Sequence, residues 1–420
     1  MLVEFRVSNF RSLRDEQILS LVASKDKVLK SSNTIPSGMA GVPTLLCSAA
    51  IYGSNASGKS NLIKAIQYMR GVVIESAAKS PGESFNVQPF KLDKKFITQP
   101  TEFEATFIID GVRYQYGFAL TSERITKEYL LVYKTSKPQK WFSRNYDPQT
   151  DTDLYDFGSH LKGQKSLWVK ATRSNALLLS MAVQLNNDQL RPIFDLFMNK
   201  LIIYNHIAVL NPLVSIQMLQ NPQDKKLIYD FISTSDISIT DINVIKQTKT
   251  QPSIHYDQST RTAEVRDSEI EGLQLQFHHA TENGTAIFDI VEESQGTQHL
   301  LFLAGPILKV LSEGLTLIID ELENSLHPLL VRRLVELFHS SKHNKKGAQL
   351  IFTTHNTSLL DSDILRRDQI WFVEKNEQQA SIVFPLSDFS PRKNEAFERS
   401  YLIGRFGAIP FFNDWDGVEE

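Results

Sequence analysis

The segment IYGSNASGKSNLIKAI, residues 51–66, constrains the fold more than any other stretch of the chain. It has the spacing G-x-x-x-x-G-K-S, filled by Gly53, Gly58, Lys59 and Ser60. The preceding run TLLCSAAIYG is typical of a buried strand, and the run after Lys59 spaces its apolar residues as a helix does. A strand, a glycine-containing turn and a helix in this order predict a P-loop.

A loop of this kind binds phosphate because its glycines let backbone N–H groups close around the anion, and the helix N-terminus adds positive potential. Lys59 is then expected to reach the β and γ phosphates of a nucleotide, and Ser60 to ligate Mg²⁺. The alternative, a glycine turn with a chance lysine, does not account for the strand and helix on either side. The predicted nucleotide-binding residues are Gly53, Ser54, Asn55, Ala56, Ser57, Gly58, Lys59, Ser60 and Asn61.

Two acidic residues follow the apolar run LTLIIDE, residues 315–321. A continuous apolar strand is buried on both faces, and its carboxyl end opens on a ligand crevice in parallel sheets. We expect Asp320 to belong to the Mg²⁺ shell and Glu321 to orient or deprotonate the attacking water. Isolated acids are more often surface residues, but the P-loop favours the functional interpretation.

A third strand-like run, GAQLIFTTHN at 347–356, ends on His355, which can hydrogen-bond a γ-phosphate. A histidine at a strand end is also a common structural residue. Gln88, in NVQPFKL, is a candidate for a side chain that senses Mg²⁺, although a glutamine before proline is more often part of an ordinary loop.

The segment ESQGTQ, residues 293–298, precedes the apolar run LLFLAGPILKVL. Two interpretations stay open from local sequence. Ser294 can cap the following helix while Gly296 relieves a tight bend, or both can form an anion site at the helix N-terminus.

The pattern along the chain indicates an α/β fold with a mixed sheet and an inserted helical subdomain. Asp110-Gly111 between two strand-like runs predicts a hairpin, helical spacing dominates from about 165 to 235, and strand-like segments return after it. We predict three parts: 1–160 with the P-loop and hairpin region, 161–240 as the helical insertion, and 241–420 with the remaining motifs.

Composition gives this chain of 420 residues no general bias toward nucleic acid, because its formal net charge is -3 and no strong Lys/Arg run occurs. The single cysteine excludes internal disulfides, and charges at Glu4 and Arg6 argue against a signal peptide, so we expect a cytoplasmic protein without a membrane anchor.

His339 and His343 are interpreted as solvated surface rather than a metal pair. Three cations are expected to be exposed, serving either partner contact or ordinary solvation: Arg366, Arg367 and Arg405.

Taken in order, these motifs resemble the ATP-binding-cassette type of ATPase head found in RecF, SMC and OLD-like proteins. The resemblance covers the first 65 residues and roughly 285 to 410, with VSNFRSL as the first strand and turn and ENSLHP in the place of a D-loop. It implies a P-loop NTPase with ATP and Mg²⁺ as cofactors. It also implies that ESQGTQ is a divergent signature motif, in which Ser294 and Gly296 cap ATP held by another subunit of a homo-oligomer. The segment lacks the usual leucine before Ser294.

Within that group, DELENSLHP, RRDQIWFVEK and ERSYLIGRFGAIPF look closest to the small AAA-type ATPases of bacterial anti-phage defence systems: RloA, AbiLi and the AriA subunit of PARIS. This resemblance implies an ATP-hydrolysing switch or scaffold that controls a separate toxin or effector, such as a Toprim-type nuclease. The alternative is a DNA-maintenance ATPase similar to RecF and SMC, which would contact DNA directly.

Overall fold

A computed structural model describes residues 1–39, 41–205, 212–233, 239–257, 262–391 and 395–410, with only the backbone described for 249–257 and 262–271. Contacts divide the chain into two compact units. The first comprises Met1–His206, Val310–Asn324 and Val331–Glu420, and the second comprises Ile207–Lys309 and Ser325–Leu330. The three-part division expected from sequence stays a prediction.

The described residues form the following strands: β1 (Leu2–Ser8), β2 (Gln17–Ser20), β3 (Thr34–Met39), β4 (Val42–Leu46), β5 (Ser48–Tyr52), β6 (Thr101–Ile109), β7 (Val112–Leu120), β8 (Ile125–Tyr133), β9 (Gln139–Asp147), β10 (Thr152–Phe157), β11 (Leu201–Tyr204), β12 (Ile239–Asp257), β13 (Thr262–Thr281), β14 (Gly284–Asp289), β15 (Thr316–Ile319), β16 (Gln349–Thr353), β17 (Ile370–Lys375) and β18 (Ser381–Pro385).

The α-helices are α1 (Lys30–Asn33), α2 (Lys59–Glu75), α3 (Lys94–Ile97), α4 (Lys165–Ala171), α5 (Leu178–Gln184), α6 (Arg191–Asp195), α7 (Leu213–Leu219), α8 (Pro222–Ser233), α9 (Gln295–Glu313), α10 (Pro328–His339) and α11 (Phe397–Leu402). A π-helical turn, Leu196–Lys200, continues α6. Short 3₁₀ turns occupy Ser76–Ala78, Ile290–Glu292, Thr357–Leu359, Arg367–Gln369 and Leu386–Phe389.

A six-stranded sheet in the first unit has the order β11-β15-β16-β5-β17-β18. Its pairs are parallel except for β17 with β18. Every residue of β5, β15 and β16 is buried, as expected for central strands of a parallel sheet. Because these strands are parallel, their carboxyl ends lie at one edge of the sheet. The P-loop, Asp320 and His355 come after the carboxyl ends of β5, β15 and β16, so all three lie at that edge. The α/β P-loop fold predicted from the sequence is confirmed.

Residues 201–204 lie in the segment that the sequence analysis predicted to be helical, and for them that prediction was wrong. The sequence LIIY, residues 201–204, forms β11 and pairs in parallel with β15. Its apolar residues occur consecutively, which suits a short buried strand as well as a helix, and the sheet neighbour decides between them.

A seven-stranded antiparallel sheet has the order β10-β9-β8-β7-β6-β1-β2. The predicted hairpin is confirmed between β6 and β7, where Asp110 and Gly111 have φ of 48° and 73°. One hydrophobic cluster contains residues from both sheets and from α2, including Phe5, Phe107, Leu62, Ile318 and Ile351. The helix after the P-loop is therefore anchored in the main core of this unit.

The second unit contains the three-stranded sheet β12-β13-β14 and helices α7 and α8. In α9, Gly305 approaches the backbone of α7 so closely that a Cβ there would lie 2.6 Å from the Ser215 nitrogen. The Ser215 hydroxyl accepts from Gly305 N at 3.0 Å and donates to Leu301 O at 2.6 Å, which stabilises the helix next to Pro306. Among the described residues, no helix is both long enough and apolar enough to cross a membrane.

Candidate functional site

The P-loop surrounds the Lys59 side chain. Lys59 is 7% exposed as a residue, and its ammonium donates to the carbonyl oxygens of Gly53 at 2.8 Å and Ser54 at 3.0 Å. Burial lowers the pKa of Lys59, while Asp320, Glu321 and Glu323 act in the opposite direction. The ammonium is thus held inside the loop by backbone dipoles and lies in the field of three carboxylates.

Backbone geometry explains two of the glycines in this loop. Gly58 has φ 113°, in the left-handed region, and a side chain there would collide with Ser381. At Gly53 a side chain would collide with the carbonyl oxygen of Val373. Asn55 and Ala56 at the tip of the loop are exposed, so an anion can approach the loop from solvent.

The hydroxyl of Thr353 on β16 organises the acids that follow β15. It donates to Asp320 Oδ1 at 2.5 Å and accepts from the Glu321 N–H at 2.7 Å. Glu321 has φ 56°, a conformation that a residue with a side chain rarely adopts, and this hydrogen bond helps to hold it there. The sequence does not reveal this contact, because Thr353 lies on a different strand.

The chemistry of Asp320 and Ser60 fits a magnesium ion, which prefers carboxylate and hydroxyl oxygens and retains several waters. In the described part of the chain the second carboxylate oxygen of Asp320 and the Ser60 hydroxyl have no hydrogen-bond partner. No group of three or more His, Cys, Asp or Glu side chains that could hold a metal occurs among the described residues. The roles assigned to Asp320 and Ser60 stay predictions.

His355 lies beside the same acids and is exposed. Burial of part of the ring and the nearby Lys59 lower its pKa, while Glu323, Glu321 and Asp320 act to raise it. Its backbone N–H donates to Glu323 Oε1. The structure therefore brings Lys59, His355 and the acids within electrostatic range of one another.

Glu323 is the residue of this site that sequence reasoning missed. Its Oε1 accepts from His355, while its Oε2 is buried and has no hydrogen-bond partner in the described part of the chain. The available signal was its position two residues after Glu321, in the ENSLHP segment, which was interpreted only as a loop.

Ser294 is the N-cap of α9. Its hydroxyl accepts from Thr297 N at 3.1 Å, and its carbonyl accepts from Gln298 N at 3.0 Å. Gly296 has no left-handed φ; it permits close packing instead, since a Cβ there would lie 3.2 Å from Ser325 O. The cap interpretation is confirmed for Ser294, whereas Gly296 lies in the helix itself and not in the tight bend that the interpretation expected. Ser294 is also exposed, and its proposed contact with a nucleotide stays a prediction.

The N-terminal turn contacts the P-loop helix through Ser12, whose hydroxyl accepts from Asn61 Nδ2 at 2.7 Å and from Ser381 Oγ at 2.7 Å. The next residue upstream, Arg11, donates its backbone N–H to Gln88 O at 2.7 Å. Arg11 and Ser12 therefore connect Gln88 to Asn61 at the start of the P-loop helix. The role of Gln88 as a Mg²⁺ sensor stays a prediction.

Two surface assignments were wrong. His339 is buried, with Nε2 2.9 Å from Ser48 Oγ, and burial lowers its pKa to about 4. Arg366 is 1% exposed, pairs with Asp368 at 2.8 Å and donates to the carbonyl oxygens of Asp26 and Val28. Both residues are polar groups satisfied by partners distant in sequence, and periodicity cannot reveal such partners.

Comparison with known proteins agrees with this geometry. Residues 48–361, well over half of the chain, match the family described as "AAA domain, putative AbiEii toxin, Type IV TA system". No curated protein sequence matches the chain.

Two solved structures of SMC heads are similar. One is the head bound to the C-winged helix domain of ScpA, with 14% identity, coverage of 91% of this chain and 97% of that chain, and a TM-score of 0.41. The other is a head with an extended coiled coil bound to the C-terminal domain of ScpA derived from Pyrococcus furiosus, with 12% identity, coverage of 93% and 97%, and a TM-score of 0.36.

The family match begins at β5, immediately before the P-loop, and extends past Asp320, Glu321 and His355. It therefore spans the parts of the chain that contribute the phosphate-binding loop, the acids and the histidine described above. The chain belongs to this AAA-domain family.

Proposed function

We propose that the chain is an ATP-binding and ATP-hydrolysing molecular switch of a bacterial anti-phage defence system, acting in the cytoplasm and controlling a separate toxin or nuclease effector. The observation that carries the ATPase part is the position of Lys59. Its ammonium lies inside the P-loop, and the three acids at the end of β15 are close enough to affect its pKa.

Each residue of the site has a separate role in phosphoryl transfer. Lys59 neutralises phosphate oxygens, and the backbone N–H groups from Gly53 to Ser60 surround them. Asp320 and Ser60 hold Mg²⁺, which supplies charge neutralisation at the phosphates when bound. Glu321 orients or deprotonates the attacking water, and His355 donates to the γ-phosphate. These assignments need no covalent intermediate, because phosphoryl transfer depends mainly on positioning and electrostatics.

The defence role is supported by two observations of different kinds. The family description names an AbiEii toxin and a Type IV TA system. DELENSLHP, RRDQIWFVEK and ERSYLIGRFGAIPF resemble the RloA, AbiLi and AriA ATPases. In this proposal the output is control of a second protein, and two or more copies of the chain sandwich ATP between the P-loop of one and Ser294 and Gly296 of another.

Replacing Lys59 tests the ATPase part. We expect Lys59→Ala to abolish ATP binding, because it removes the ammonium that lies inside the loop. Titration calorimetry with ATP and Mg²⁺ measures the affinity, which we expect to fall at least a hundredfold. A melting curve recorded beside it is expected to change little, since α2 remains anchored by its apolar face.

Lys170→Ala is the matched control. Lys170 is an exposed lysine on α4, outside the P-loop, and its removal changes the net charge equally. Unchanged ATP affinity in Lys59→Ala, with the control also unchanged, would refute the P-loop assignment and with it the proposed ATPase.

A further inference from the structure

A cavity of about 380 Å³ lies along the outer side of α2, entirely within the first unit. Four cationic side chains line it, against the single carboxylate of Glu75. These cations are separated by other residues in the sequence, and for that reason no basic run is visible there: Arg11, Lys64, Arg70 and Lys79. A local basic site thus exists in a chain whose net charge is negative.

The positive charge of this cavity is only partly compensated by the protein. Arg70 donates to two carbonyl oxygens, Phe197 O at 2.8 Å and Met198 O at 3.1 Å, rather than to a carboxylate. Lys64 has no ion-pair partner in the described part of the chain. Lys79 pairs with Glu83 at 2.6 Å on the exposed rim.

Arg11 adds an unsatisfied donor. Its Nε is buried and has no hydrogen-bond partner among the described residues, and the residue has φ 53°, in the left-handed region. A buried donor without an acceptor costs about 1–3 kcal/mol. The Arg11 guanidinium also has no ion-pair partner in the described part of the chain, so its charge adds to the positive charge of the cavity.

Gly71 keeps the cavity open. It lies inside α2, where glycine is less favourable than alanine by roughly 0.5–1 kcal/mol, yet a Cβ there would meet nothing within 4 Å. Packing within the protein therefore does not require the glycine. Tyr68, one turn earlier on the same side of the helix, also lines the cavity, and its hydroxyl has no hydrogen-bond partner in the described part of the chain.

We propose that this cavity binds a small phosphate-bearing ligand of the nucleoside monophosphate class, at a site separate from the P-loop. Its volume lies within the range of small-molecule sites, and arginine and lysine side chains are the usual partners of phosphate oxygens. A volume of this size suits a small ligand better than a polymer. Because the cavity lies against α2, the ligand contacts the helix that begins at Lys59.

AMP is the probe for this site, because it has no β phosphate for Lys59 to contact. Full-length Lys59→Ala protein is titrated with AMP, alone and with Lys64→Glu or Gly71→Leu added. The first addition reverses an uncompensated charge, and the second fills the open space with a good helix former. We expect each to weaken AMP binding at least tenfold, and Lys170→Glu, the same charge change on α4, to leave it unchanged.

Four results would overturn the proposal. They are failure of the Lys59→Ala protein to bind AMP, equal AMP affinity in all variants, an equal loss with Lys170→Glu, and binding of a short single-stranded oligonucleotide without any binding of AMP. The last would assign the surface to a nucleic acid strand. In chains that keep Lys59, ATP affinity is expected to be unaffected by Gly71→Leu, so failure of this inference leaves the proposed ATPase intact.

Discussion

At the residue scale, Glu323 connects the loop that carries His355 to the segment that carries Glu321. Its Oε1 accepts the His355 N–H, and its carboxylate acts to raise the pKa of both Lys59 and His355. If His355 contacts the γ-phosphate, Glu323 is a positioning residue: it fixes where the His355 backbone lies without reaching the nucleotide itself.

We expect Glu323→Ala to lower kcat for ATP hydrolysis about tenfold with little change in KM, because the exposed His355 N–H then bonds to water and the histidine loses a contact worth about 1 kcal/mol that holds its position. Glu323→Gln keeps an acceptor at that position and should retain most of kcat. Steady-state kinetics at saturating Mg²⁺ measures both. Equal activity of the alanine and glutamine variants would show that the hydrogen bond does not position His355.

At the element scale, a buried polar cluster connects the end of α10 to β5. His339 Nε2 lies 2.9 Å from Ser48 Oγ, and Gln369 Nε2 donates to Ser48 Oγ at 2.8 Å. Asn33 donates to Gln369 Oε1 at 2.7 Å and extends the cluster to α1. Desolvation lowers the pKa of His339 from 6.5 to about 4, because the imidazolium has no counter-charge in this cluster.

This lowered pKa predicts how stability depends on pH. Between pH 6.5 and 4 the unfolded chain binds a proton at His339 that the folded chain does not, so stability is complete above pH 6.5 and falls with pH toward 4. The loss at pH 5 is expected to be about 2 kcal/mol. Urea unfolding at pH 7 and pH 5 measures it.

His339→Gln supplies the control for this prediction, since glutamine can still hydrogen-bond to Ser48 but does not titrate. The difference in unfolding free energy between pH 7 and pH 5 should be about 2 kcal/mol smaller in this variant than in the wild type. His343→Gln removes an exposed histidine just beyond the same helix, whose pKa is lowered by partial burial and nearby cations, and it should change the difference less than His339→Gln does. An identical pH dependence in His339→Gln and the wild type would contradict the assignment.

Elements with strong local signals could be predicted from the sequence, and elements defined by distant partners could not. The P-loop, its helix and the Asp110-Gly111 hairpin depend on neighbouring residues and were correct. Arg366 appears in the sequence as one of two adjacent arginines; only the structure shows that it is enclosed by backbone carbonyls of residues 24–28. Glu323 was missed for the same reason, because its partner lies 32 residues further along the chain.

At the scale of the whole molecule, the open question is whether Ser294 acts only within its own chain. The serine hydroxyl caps α9 and pairs with the Thr297 hydroxyl, while the residue as a whole is exposed, so an external anion can approach it. A substitution that preserves the cap but repels an anion separates these two functions. Aspartate caps helices about as well as serine, and asparagine does so without a charge.

We expect Ser294→Asp to fold and bind ATP but to lose hydrolysis, because a carboxylate placed against a γ-phosphate is repelled, while Ser294→Asn retains much of the activity. Lys59→Ala is also expected to be inactive, because it does not bind ATP. If two copies share each nucleotide, a mixed pair has one composite site in which the Ser294→Asp chain supplies an intact P-loop and the Lys59→Ala chain supplies an intact Ser294. Partial recovery of ATPase activity on mixing, measured alongside proof that mixed oligomers form, is the expected result. Wild-type activity in Ser294→Asp would restrict Ser294 to capping its own helix, and mixed oligomers without recovery would place the complete site within one chain.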